Sequence, residues 1–100
     1  MATGTRLWDA FLATNARVLA DPQLDCTLSG ATLTVSILDD RTLTTAWVGD
    51  SRAVLVRRES HTIMGYDLTV DHKPGLPEEL HRIVQAGGRV QSLVVRPASF

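Results

Sequence analysis

Cysteine is almost absent. Cys26 is the one copy in 100 residues, so no disulfide can close within the chain and no zinc site of the paired-cysteine kind can be built. That usage fits a reducing compartment. Charge of one sign is lacking as well: the formal net charge is −1 with acids and bases scattered, which leaves no basic stripe for a nucleic-acid backbone and no polybasic patch for a membrane. No apolar run approaches the roughly 18 residues that a membrane-crossing helix requires, and Met1 is followed by Ala-Thr-Gly-Thr rather than by a basic segment and an apolar stretch. These absences set aside nucleic acid and membrane as partners, and the expected location is intracellular, cytoplasmic or nuclear. Internal repeats, low-complexity tracts and linkers are missing too.

What is there is ordinary globular composition, with 44% apolar residues, enough for one small domain or a piece of a larger one. A domain of this size buries only about two-thirds of the surface its unfolded chain exposes. Its stability is modest if part of the core lies elsewhere.

Periodicity then orders the elements. Leu7, Trp8, Phe11, Leu12, Val18 and Leu19 recur at helical spacing from Thr5 to Ala20, and Pro22 supplies the stop. In "SGATLTVSILDD", Ala31, Leu33, Val35 and Ile37 alternate with Thr32, Thr34 and Ser36, the mark of a half-buried strand. Asp39-Asp40 suits a hairpin turn, since a short acidic side chain bonds its own backbone and tolerates unusual dihedrals. "RTLTTAWV", "RAVLVRR" and "ESHTIMGYDLTV" follow as strands with short connections, which predicts an antiparallel meander. Pro74, Gly75 and Pro77 mark a loop, and Pro77 suits the first position of a helix, with Glu78 and Glu79 near its positive end. Leu80, Ile83 and Val84 form the expected buried stripe, and Gly87-Gly88 the stop. The tail "RVQSLVVRPASF" begins like a strand and halts at Pro97. The fold class is therefore α+β, with helices packed on one face of an antiparallel sheet.

"SGATLTVSIL", "AWVGDSRAVLV" and "LTVDHKPGLPEELHRIVQAGGRV", in that order and spacing, resemble the middle section of the metal-dependent protein serine/threonine phosphatases of type 2C. The resemblance covers residues 29–90 of a partial domain spanning 1–100, with the preceding helix also in its expected place. It implies a four-layer α-β-β-α sandwich, two antiparallel sheets between pairs of helices, with a cluster of Mg²⁺ or Mn²⁺ ions at one edge. The implied reaction is hydrolysis of phosphoserine or phosphothreonine on a phosphoprotein substrate by water that two metals activate, without a phosphoenzyme. After Val90 the chain departs from the family pattern, which continues into a Gly-containing turn and a Ser-Arg segment.

Asp50, in Gly49-Asp50-Ser51-Arg52, is the residue on which the resemblance bears most directly. Read as sequence alone, it is a turn residue that accepts bonds from turn amides, or a carboxylate presented at a strand end where Gly49 permits a tight backbone. The resemblance favours the second and makes Asp50 a metal ligand. Ser29 and Gly30 read as a strand-entry turn with close backbone contact, Arg52 as an ion-pairing residue, and Asp71-His72-Lys73 as a hydrogen-bonded loop that fixes the approach to the helix. His61 and His81 read as surface residues.

The family's upstream Glu-Asp pair, its Asp-Gly-His-Gly-Gly turn and its downstream Asp-Gly and Asp-Asn segments do not occur in the 100 residues. One aspartate cannot build a two-metal site. The expectation is thus a piece of an active phosphatase whose remaining domain is its structural partner, inactive alone and self-associating through an open apolar face. Two alternatives stand beside it: a phosphatase-like scaffold or regulatory module without activity, and an unrelated α+β domain.

Overall fold

The computed structural model describes residues 1–93. Helix α1 spans Thr3–Ala20, strands β1 Leu33–Asp39, β2 Thr42–Val48, β3 Val54–Glu59 and β4 Thr62–Asp67, and helix α2 Pro77–Gln85. The α+β class holds. Residues 89–93 carry no strand, and the rest of the expected tail strand, with Pro97, lies outside the described residues.

Local chemistry explains most boundaries. Asp39 pairs with Thr42 across the first hairpin and Glu59 with Thr62 across the second. Each reversal is led by a residue at positive φ, Asp40 at 52° and Ser60 at 55°, a conformation that short polar side chains tolerate. Helix α2 starts on Pro77 and ends in a glycine motif, the amide of Gly87 (φ 88°) donating to the Val84 carbonyl at 3.0 Å and that of Gly88 to the Ile83 carbonyl at 2.9 Å. These two bonds satisfy carbonyls that the helix end would otherwise leave open.

The strand order corrects the meander. β1 pairs with β2 and β3 with β4, in two separate two-stranded sheets. The physical reason lies at Gly49, whose φ of 103° redirects the chain as it leaves β2. The residues after β4 then run back beside residues 49–53: Leu68 N–H donates to the Ala53 carbonyl and His72 N–H to the Gly49 carbonyl, both at 3.0 Å. The connection between β2 and β3 is thus paired with this returning segment rather than closed as a tight hairpin.

Burial is sparse. Among the described residues only Leu7 (8% exposed) and Thr69 (6%) are buried. The Cα radius of gyration is 18.2 Å, against about 13 Å for a compact chain of this length. The alternation in β1 does not produce one covered face: Thr34 and Val35 are half-buried while Leu33 and Ile37 stay exposed, because α1 lies against β2 rather than β1. The stripe of α2 is likewise uncovered, with Ile83 half-buried and Leu80 and Val84 exposed. Nor does Gly30 make a close approach, since a Cβ built there meets nothing within 4 Å.

Candidate functional site at the Gly49–Arg52 turn

The turn between β2 and β3 is stitched to residues 69–73 from both sides. Arg52 donates twice to Asp71, Nε to Oδ1 and Nη2 to Oδ2, each at 2.9 Å. This two-pronged geometry is the strong form of an arginine–carboxylate pair. The Arg52 hydrogen bond, more than charge alone, holds the Asp71 carboxyl below its ordinary range, and the same contact raises the Arg52 guanidinium. The Ala53 amide donates to Thr69 Oγ1 at 3.1 Å, which accounts for the buried hydroxyl. Arg52 is therefore the ion-pairing residue its sequence context suggested.

Gly49 is held through both of its backbone polar groups. Its amide donates to His72 Nδ1 at 3.2 Å while its carbonyl accepts from the His72 amide at 3.0 Å. The His72 ring stacks on Trp47 with centroids 5.8 Å apart and planes 14° apart, and Trp47 Nε1 donates to the Val70 carbonyl at 2.8 Å. Because Nδ1 accepts, the neutral imidazole carries its proton on Nε2. A Cβ built on Gly49 would stand 2.4 Å from Thr32 Cγ2, and Thr32 Oγ1 shares a 2.7 Å hydrogen bond with Ser51 Oγ.

Asp50 sits between these anchored neighbours with its side chain 56% exposed. Its nearest cation is Lys73, Nζ to Oδ2 3.8 Å. Elsewhere Asp21 accepts from the Gln23 amide, and Asp25 from the Thr27 and Leu28 amides. Among the described residues no turn amide donates to Asp50. The three consecutive residues Asp71, His72 and Lys73 thus address Arg52, Gly49 and Asp50. Sequence reading picked out both tripeptide and turn but missed their mutual pairing and the acceptor role of His72, since contacts 19–23 residues apart leave no mark in local periodicity. His61 and His81 are exposed, and Ser29 touches the turn chemistry nowhere, its amide donating to the Asp25 carbonyl at 3.0 Å.

The arrangement is an α+β unit in which the turn between two hairpins presents the Asp50 carboxylate to solvent. The family model for Protein phosphatase 2C matches residues 3–97. The chain belongs to the protein phosphatase 2C family. It is 44% identical over 89 residues to "Probable protein phosphatase 2C 12" of Oryza sativa subsp. japonica, covering 88% of this chain and 23% of the relative. Identity to "Probable protein phosphatase 2C 1" of Arabidopsis thaliana is 37% over 97 residues, 91% of this chain and 21% of that protein. "Protein phosphatase 2C 3" of Arabidopsis thaliana is 46% identical over 66 residues, 66% of this chain and 14% of the relative. The chain therefore spans about a quarter or less of the length of these curated relatives. No solved structure matches it.

The family is generally Mg²⁺- or Mn²⁺-dependent, which invites a test of the donors present. Among the described residues no three His, Cys, Asp or Glu side chains gather as a metal cage. Magnesium asks for six oxygens in near-octahedral order, several of them water. Asp50 fits as one such ligand, hard, exposed and unclaimed by turn amides; a complete centre it is not. No helix among the described residues is long and apolar enough to cross a membrane.

Proposed function

We propose that this chain is the central segment of a metal-dependent protein serine/threonine phosphatase acting on phosphoserine and phosphothreonine. In this reading its two hairpins and two helices are parts of the four-layer sandwich, and Asp50 supplies one carboxylate to an Mg²⁺ or Mn²⁺ cluster whose other ligands lie outside these residues. The ions, when bound, supply activated water. The segment's own work is to hold Asp50 at the rim and to form the framework beneath it.

The observation that supports this best is the contrast within the turn. Gly49, Ser51 and Arg52 are all engaged by hydrogen bonds, while the carboxylate between them keeps its lone pairs for another partner. Asp21 and Asp25, by contrast, accept from the amides of their own turns. A second reading, a phosphatase-like scaffold without activity, holds if this segment cannot serve within an active domain.

A chimera separates the two. This chain replaces its 89-residue counterpart in the rice relative, and Mn²⁺-dependent release of phosphate from a phosphothreonine peptide is measured. The phosphatase reading expects activity in the chimera, none in the chain alone, and a loss of about tenfold or more with Asp50→Asn, which removes one ligand of the cluster. An inactive chimera that folds like its parent sinks the phosphatase reading in favour of the scaffold. Hydrolysis by the isolated chain that a chelator abolishes would overturn the single-ligand assignment.

A further inference from the structure

We propose that His72 is a positioning residue that fixes the Asp50 turn by gripping both polar backbone groups of Gly49. The proposal rests on the reading of Asp50 as a metal-facing carboxylate. Gly49 has no side chain to anchor it and adopts a φ of 103°, so its peptide groups are free to rotate unless something holds them. His72 alone provides both holds, the ring accepting from the Gly49 amide at 3.2 Å and the His72 amide donating to the Gly49 carbonyl at 3.0 Å. The Trp47 face fixes the ring's plane, and the Trp47 indole is itself tied to the Val70 carbonyl at 2.8 Å. The unit is a closed loop of contacts: strand end, indole, imidazole and back to the strand end. Rotation of the Gly49–Asp50 peptide would swing the Asp50 carboxylate off the rim. Lys73, adjacent to His72, is carried by the same loop to 3.8 Å from that carboxylate.

Two substitutions separate the acceptor from the ring. Oδ1 in His72→Asn is bonded to Cγ as Nδ1 is, so it reaches the Gly49 amide; in His72→Gln the acceptor lies one bond further out. Both lose the stack on Trp47, so any difference between them belongs to the hydrogen bond. Amide hydrogen exchange at Gly49 in the full 100-residue chain should quicken about five- to tenfold in His72→Gln, the scale of one ordinary hydrogen bond, and stay within about twofold of the parent in His72→Asn. In the chimera, the Mn²⁺ concentration for half-maximal activity should rise with His72→Gln and be rescued by His72→Asn. Equal exchange in the two variants, or a parent Gly49 amide exchanging as fast as in an unstructured peptide, overturns the grip. If the exchange pattern holds but Asp50→Asn leaves the Mn²⁺ response of the chimera untouched, the grip stands as structure and the metal-facing role of Asp50 is what fails.

Discussion

Replacing Gly49 by alanine tests the turn most sharply, because two independent penalties meet there and a second glycine carries only one. At φ 103° an alanine sits in a region that L residues avoid, a strain of about 1–3 kcal/mol. Its Cβ would also stand 2.4 Å from Thr32 Cγ2 and 2.8 Å from Thr32 Cβ, contacts that real side chains do not make. Relief requires β1's approach or the turn to shift, and such overpacking costs about 1–3 kcal/mol. Gly87 is the control. Its φ is 88°, yet a Cβ there meets nothing within 4 Å, so Gly87→Ala carries the backbone term alone. Urea unfolding followed by tryptophan fluorescence should place Gly49→Ala below Gly87→Ala by about 1–3 kcal/mol, a large share of the 5–15 kcal/mol typical of a whole domain. Thr32→Ser removes the nearer methyl and keeps the hydroxyl that bonds Ser51 at 2.7 Å. It should therefore recover part of the loss in the double variant, but not all, because the Cβ contact persists. Equal cost at Gly49 and Gly87, or no recovery with Thr32→Ser, refutes the steric account.

The Arg52–Asp71 pair and the uncovered sheet faces each have a measurable consequence. The Asp71 carboxyl is held below the ordinary aspartate value of 3.8, so its pairing with Arg52 contributes in full above that pH and is lost as pH falls through the lowered value; acid unfolding of Arg52→Ala should lack this component, and an acid limb unchanged from the parent would contradict it. The uncovered sheet faces, with Leu38 71%, Val56 65% and Ile63 66% exposed, should drive concentration-dependent self-association of the isolated chain; a monodisperse monomer in sedimentation that binds no apolar dye would count against it.

Local signals carried the elements well. Pro77 and the Gly87-Gly88 pair marked α2 at both ends, and the acidic turn before Arg41 placed the first hairpin within a residue, because each acts through its own backbone dihedrals. Ser29-Gly30 does lead into β1, but the close approach expected there is not found. That expectation rested on composition, and the space around Gly30 is open. The Arg52 ion pair was foreseen in kind and not in partner, since nothing near Arg52 in sequence names Asp71.

The amino-acid order by itself determined two helices, two hairpins and a polar interruption bearing Asp50, since periods of 2 and 3.6 and the dihedral demands of Gly, Pro and Asp operate over a few residues. Only the tertiary structure decided that β2 and β3 part company, that residues 68–73 return along the turn, and that His72 rather than an Asp50 hydrogen bond secures it. Those outcomes depend on which distant backbone groups pair with one another. Hydrogen bonds between residues some twenty positions apart are chosen by the path of the chain in space, and that path is set at Gly49 by a single positive dihedral.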